Sequence, residues 1–535
     1  MKGLSSKLHF TLYFWSITLF ATSIHWWHSL TVIMMIIIGV IWIIQPNLSS
    51  KLLLTFKRPS IFLFSTIFIL SLFYLPFSNN ILESLNYTKL VLPVFLLPLF
   101  IETSPKFTSK DFSTIIYLYI LSTVISTIFN LIHFIKDYNS FTDIRSISFY
   151  MSHIRYSLFI TIAIFSCIYY LFINRTKGIL TTVLLSLSLA WLILFIFILQ
   201  SVTGIVIVFF ILFLLLCIKI YKSKSNINRL IIITSVLIII ASISWNLLNL
   251  INEFTNVKKI EIKDREKKTP YGNEYTYNDK IRVQENGNFV YYFFCEKELQ
   301  ETWNSISSIK YNGLDKKKQP INFTLIRYLT SKNLRKDKDG VLALNAHDRL
   351  NIENGITNYK HDNIFSFDNR IYEIIWEIDS YRRGTNPSGH SITQRFEFWR
   401  CAKAIISDNF FLGIGTSDFD KIVQKYYIKI DSKLPINKRY SPHNQYFTFM
   451  IKFGCIGLLL IIAGILATVI FEKKQKDYFV LILLTILFIS MINEDTLERQ
   501  HGIVLFAFWG ALFIFGRIDK KDDPTIKEEN EELSE

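Results

Sequence analysis

The residues able to do chemistry gather in four short stretches. In "KRYSPHNQYF", residues 438–447, His443 and Asn444 stand where a basic polar segment meets an apolar run. A neutral imidazole takes a proton from a hydroxyl nucleophile at neutral pH, and a carboxamide beside it orients a substrate hydroxyl or the ring. The plain alternative is a pair of polar residues marking the end of an apolar segment. In "SITQRFEFWRCAKAII", residues 391–406, Arg395 and Arg400 carry guanidinium forks suited to bidentate binding of phosphate. On one helix they lie about 140° apart, so one faces a given target and the other turns to solvent or to an acidic partner. In "FYMSHIRYSLF", residues 149–159, His153 and Arg155 open an apolar run; they either snorkel to an interface or face a polar cavity and reach phosphate. In "NEDTLERQHG", residues 493–502, Glu494, Asp495 and Glu498 form an acidic cluster that pairs with these arginines or is an ordinary polar loop.

The elements that must position these groups are apolar helices. The chain of 535 residues is 51% hydrophobic, with 47 Phe and 26 Tyr. A helix crossing ~30 Å of hydrocarbon needs roughly 20 apolar residues. About twelve such runs are predicted, near 8–24, 29–45, 59–77, 89–101, 112–134, 155–173, 179–199, 202–218, 230–250, 446–470, 478–492 and 501–516. The fourth is short and holds Pro93 and Pro98, which predicts a kink or burial within protein. Lys2 and Lys7 precede the first run with no small-residue cleavage site after it, which predicts a retained span.

The formal charge of +15 is explained by membrane topology and not by a nucleic-acid partner. With the N-terminus inside, twenty Lys and Arg fall in inner segments, and the short outer loops hold only Lys89, Lys136, Arg145, Arg155 and Arg499. Both termini are therefore expected inside and the long segment 251–445 outside. The expected organisation is spans one to nine over 1–250, an outer loop domain over 251–445, spans ten to twelve over 446–516, and an acidic cytoplasmic tail over 517–535. The fold class is an all-α polytopic membrane protein with a large mixed α/β loop domain between spans nine and ten.

Within that loop, "VKKIEIKD", "TPYGNEYTYNDKIRV" and "ENGNFVYYFF" read as strands and turns. "EKELQETWNSISSI" and "TLIRYLTSKNLRKD" read as helices. From Ser391 an amphipathic helix runs to a stop at Gly413 or Gly415, with Trp399, Ala402 and Ile406 on one face. Five cysteines include no C-x-x-C pair; for Cys295 and Cys401 a disulfide and two free thiols are both open. No phosphate-binding glycine loop, Rossmann glycine run or H-E-x-x-H zinc motif is present, so neither a cofactor nor a protein-held metal is expected.

Three of these stretches, "GHSITQRFEFWRCAKAIISDNFFLGIGTSDF", "SPHNQYFTFMIKFGCIGL" and "NEDTLERQHGI", occur in an order that resembles the O-antigen ligase and O-antigen polymerase family of bacterial envelopes, most of all members from Bacteroidetes-type bacteria. The strongest stretch covers about 390–505. The resemblance implies a metal-independent, inverting glycosyl transfer at the periplasmic face of the inner membrane. The implied donor is a glycan on undecaprenyl diphosphate; the acceptor is lipid A-core in ligases and a lipid-linked repeat unit in polymerases. It matches the family's histidine to His443 and its loop arginine to Arg395. Asn444, Arg400, Arg155, His153 and Glu498 are the expected substrate-binding residues. Many relatives carry Ser-Arg-Gly at the outer turn between spans seven and eight; here "LQSVTGIV" holds no Arg, and Arg155 or another cation must compensate.

A polyprenyl donor keeps its tail in the bilayer and its diphosphate at the surface, so a base is needed at the depth where His443 stands. Readings of another class are a flippase or exporter, and a glycan-binding membrane protein with the aromatic-rich loop as a sugar platform. The first needs a polar path through the bundle, and the second predicts that losing His443 changes little.

Overall fold

The computed structural model describes residues 6–45, 47–136, 144–176, 178–222, 225–255, 257, 261, 265–281, 283–362 and 367–518. The strand expected over 257–264 and the tail expected over 517–535 therefore lie almost wholly outside the described residues.

Helices dominate, as the apolar periodicity requires. Among the described residues, seven are long and apolar enough to cross a membrane, including Ser109–Lys136, His153–Ile173, Val202–Tyr221 and Gln445–Phe471. Shorter apolar helices include Thr66–Phe77, Tyr478–Asn493 and Gln500–Phe515. The predicted fourth span is longer than its apolar run: Ile81–Val91 and Pro93–Thr103 join through Leu92, with Pro93 in the first turn of the second helix.

The chain falls into two compact units: residues 1–136, 145–213 and 394–535, and residues 137–144 and 214–393. This divides the expected 251–445 loop. Its last fifty residues belong with the spans because the Thr393–Asp408 helix buries Phe398, Cys401, Ala402 and Ile405 in one apolar cluster with Val423, Tyr427 and Ile451. Ile451 lies on the Gln445–Phe471 helix, so that cluster joins the loop's end to a span.

In the first unit, Gln500–Phe515 is the central helix; every residue from Gly502 to Phe515 is buried, as an all-round apolar helix demands. Phe64 stacks on Phe506 at 4.6 Å, and Gly510 gives the room: a Cβ there would lie 2.6 Å from the Phe64 ring. One end of this unit is tied by ion pairs of Glu102 with Arg58 and Lys106, and of Arg517 with Asp477. The opposite end gathers the starts of the His153, Gln445 and Gln500 helices and the end of the Tyr478 helix.

Among the described residues the second unit is mainly helical, with less strand than the mixed α/β expectation. Its core packs Leu299 and Trp303 against Leu325, Leu329, Ile352, Tyr372 and Trp376. Among the described residues its strands are Gln284–Glu285 and Asn288–Phe289, a hairpin closed by Asn286 and Gly287 at φ of 45° and 79°. The aromatic run that follows leaves this ladder after Phe289 and bonds instead to the backbone of Thr276 and Asn278, through Phe294 and Tyr291. Arg327 and Glu285 form a buried ion pair at 2.5 Å, and Arg327 lies 3.8 Å from the Trp376 ring centroid. Cys295 and Cys401 are both buried free thiols.

Candidate functional site

The Gln445–Phe471 helix begins at Asn444 because that side chain accepts from the Phe447 N–H at 3.1 Å. Its amide also donates to the Ile492 carbonyl at 2.7 Å. Asn444 was expected to touch substrate; the structure commits both ends of its carboxamide to the cap and to the neighbouring helix.

His443 precedes the cap in the left-handed region, with φ of 48°. A histidine rarely sits there unless its surroundings hold it. The holder is Asp495. Its carboxylate accepts from the His443 and Asn444 N–H groups at 3.1 Å each, from Ser441 Oγ at 2.8 Å and from Thr448 Oγ1 at 2.7 Å. From the other side Trp399 Nε1 donates to the Pro442 carbonyl at 3.1 Å, and the Phe398 ring lies 5.6 Å from the imidazole. The turn is thus clamped between the Thr393 helix and the loop after Asn493.

The His443 ring is one-third exposed, and its Nδ1 faces Glu494 Oε2 across 3.7 Å. That gap exceeds a direct hydrogen bond. The carboxylate still favours a proton on Nδ1, which leaves the Nε2 lone pair to act as base. Glu494 also pairs with Arg155 at the start of the His153 helix. Burial pushes the Glu494 carboxyl up, but His443, Arg155 and Arg395 outweigh it and hold its pKa below the ordinary value. An ionised, buried carboxylate therefore stands behind the imidazole.

Arg395 lies in the first turn of the Thr393 helix, four residues before Trp399 and so on the same face, and its charge is felt at Glu494. Arg400 lies elsewhere. It pairs with buried Glu397 at 3.0 Å and donates to the carbonyls of Ile430 and Asp431 at 3.0 and 3.2 Å. It ties down the end of the Phe419–Lys429 helix, which corrects its expected place in the site. Glu498 is likewise engaged, with Lys452 at 2.6 Å and Gln445 at 3.2 Å. His153 opens its helix half-buried, two residues before Arg155.

Of the expected residues, the structure thus brings together His443, Arg155 and, through Glu494, Arg395. Glu494 and Asp495, which the sequence offered only as part of an acidic cluster, stand closest to the histidine. Their signal was the N-E-D at the end of an apolar run; nothing in the spacing told the two acids apart from Glu498.

A second feature shapes this end of the unit. The Gln445 helix is broken at Gly454, with φ 68° and ψ −175°. Residues 410–415 run alongside the break: Ile414 N–H donates to the Ile451 carbonyl at 2.7 Å, Gly415 to Lys452 at 2.9 Å, and Cys455 to Phe410 at 2.8 Å. These bonds satisfy backbone groups that the broken helix leaves open.

Residues 355–462 match a family model described as O-antigen ligase. That segment contains Arg395 and His443 but ends before Glu494 and Asp495. No curated protein and no solved structure matches the chain.

Proposed function

We propose, from the premise that this chain is a member of the O-antigen ligase-like family with its matching domain at residues 355–462, that it transfers a glycan from undecaprenyl diphosphate to lipid A-core at the periplasmic face of the inner membrane. The observation that carries this reading is the imidazole of His443 set against the ion pair of Glu494 and Arg155, at an end where several apolar helices begin or finish.

The acceptor hydroxyl attacks the anomeric carbon and the bond from that carbon to the diphosphate oxygen breaks, with inversion. His443 Nε2 takes the hydroxyl proton, and Glu494 stabilises the imidazolium that forms. The departing polyprenyl diphosphate carries the bond's electron pair, and its negative charge is met by guanidinium groups, Arg395 first. Positioning supplies the rest, since diphosphate is already a good leaving group.

Two measurements test this. Deleting the gene is expected to leave lipid A-core without attached glycan on a gel; core capped by one repeat identifies a polymerase instead. His443→Ala, expressed and folded normally, is expected to lose ~10²–10⁴ in transfer rate. Near-wild-type transfer by that variant removes His443 from the scheme and places the proton acceptor elsewhere.

A further inference from the structure

Each acid of "NEDTLERQ" is already engaged. Glu494 holds Arg155, Asp495 holds four neutral donors, and Glu498 holds Lys452. Arg499, the cation of this stretch, is exposed, and among the described residues its guanidinium pairs with no carboxylate. Its place is nevertheless fixed. Its carbonyl accepts from the N–H groups of Gly502 and Ile503 at 3.1 Å each, so it caps the central helix. The turn before it folds back so tightly that a Cβ on Gly502 would lie 1.8 Å from the Thr496 carbonyl oxygen. The Leu497 N–H is held by the Gln445 side chain at 2.7 Å, next to the His443 turn.

Arg499 follows Glu494, the partner of Arg155, across the short Thr496–Glu498 turn, so both guanidinium groups belong to this corner, and each raises the cost of the other's charge. Arg155 Nε, moreover, is an interior donor with no hydrogen-bond partner among the described residues. Two guanidinium groups that repel each other, one with an orphaned buried N–H and the other with no acid, are a poor arrangement alone and a good one around an anion. The neighbouring turn at 199–204 supplies no cation. Ser201 Oγ instead donates to Ser157 Oγ at 3.0 Å, and a Cβ on Gly204 would lie 2.6 Å from the Ser157 side chain. Thr203 accepts from Asn493 at 2.8 Å, beside Glu494. This turn is packed closed against the start of the His153 helix, and positive charge at this corner comes from Arg155 and Arg499.

We propose that Arg155 and Arg499 form a second anion-binding arm of the site, which takes the diphosphate of the lipid-linked donor together with Arg395. The proposal rests on the glycosyl-transfer reading for the identity of the anion, and on the two arginines alone for the existence of an anion site. Arg499 is the residue to vary, because it is exposed and its removal breaks no internal pair.

The test uses full-length protein in lipid nanodiscs, a synthetic polyprenyl-diphosphate glycan as donor, and inorganic diphosphate as both inhibitor and calorimetric ligand. Losing a charge-assisted, forked contact is expected to raise donor KM and the diphosphate inhibition constant by roughly 10- to 100-fold in Arg499→Gln. The fall in kcat is expected to be smaller, and Arg499→Lys to lie between the two. Lys425→Gln, a loss of the same charge at an exposed position outside this corner, is expected to change neither constant. Equal constants for wild type and Arg499→Gln overturn the proposal, and so does an equal effect from Lys425→Gln. Should the wild-type protein transfer no glycan yet bind diphosphate in an Arg499-dependent way, the anion arm stands and the glycosyl-transfer reading falls. Absence of Arg499-dependent binding removes the arm whatever the reaction.

Discussion

Arginine positions in this protein separate by what they already hold. Arg400 spends its fork on Glu397 and two backbone carbonyls, whereas Arg395 shares the His443 face of its helix and is felt at Glu494. Charge alone does not distinguish them; geometry does. Arg395→Lys keeps the cation but loses the planar fork, and transfer at limiting donor is expected to fall by roughly tenfold or more, as for loss of a charged hydrogen bond. Arg400→Lys is expected to leave donor KM unchanged and to lower thermal stability, since Lys cannot reach the same acceptors together. A steady-state comparison of the two with purified protein decides the matter: equal donor KM values for wild type and Arg395→Lys place the phosphate contact elsewhere. The rotation between the two arginines was readable from helical spacing, but which of them faces the site was not. That choice is made by Trp399 and Phe398, which dock on the Pro442–His443 turn, a contact between segments more than forty residues apart.

At the scale of elements, the spans and the amphipathic helix from Ser391 were legible because apolar runs and helical periodicity are local signals. The break at Gly454 was not. "KFGCIGLLLII" reads as one continuous helix, and the break exists because the backbone of 410–415 occupies the space. A Cβ on Gly454 would lie 2.0 Å from the Phe411 carbonyl oxygen, and its φ and ψ belong to a region nearly closed to other residues. Gly454→Ala is therefore expected to destabilise by at least roughly 2 kcal/mol and to lower the yield of folded protein, read by size-exclusion of detergent extracts. A wild-type elution profile and melting temperature would mean that the break is not fixed. The strands expected in the loop unit appear only in part among the described residues: Gln284–Glu285 pairs with Asn288–Phe289 and Thr276 bridges Phe294, while helices supply most of the core. Lys336 gives that unit a pH signature. Its side chain is buried, and among the described residues Nζ reaches only the Phe289 carbonyl, at 3.4 Å. Burial drives its pKa from 10.5 down to about 7, against the pull of Asp337. Because the folded value is the lower one, the unfolded chain binds more protons between the two, and stability rises with pH from about 7 toward the unfolded value. The cost is greatest below that window, where folding must carry a charged ammonium out of water. Lys336→Met is expected to be more stable at pH 7 and to lose that slope, seen as a wild-type-minus-variant difference in calorimetric unfolding between pH 7 and 9. Parallel curves would show that Lys336 stays charged when buried.

For the whole molecule, the two ends of the span-containing unit differ in chemistry. One end holds Arg58, Lys106 and Arg517 in pairs with Glu102 and Asp477; the other holds His443, Glu494, Asp495, Arg155 and Arg499. The first end belongs to the basic segments that the cation asymmetry assigns to the inside, and the second to the loops assigned outside. A lipid-linked donor whose glycan is used in the periplasm must meet its base on the outer side, so topology and chemistry stand or fall together. Single cysteines in a cysteine-free background test this in intact cells. A probe at Lys316, exposed in the loop unit, is expected to react with a membrane-impermeant maleimide, and so is one at Arg499 at the site's edge. A probe at Lys473, beyond the far end of the Gln445 helix, is expected to react only after permeabilisation. Because Lys473 and Arg499 flank the Tyr478 helix, opposite labelling of these two also shows that this sixteen-residue helix crosses the bilayer. Protection of Lys316 together with free labelling of Lys473 reverses the orientation. That would put His443 on the cytoplasmic side and remove periplasmic transfer, while leaving the ion pair of Glu494 and Arg155 to be explained by another reaction.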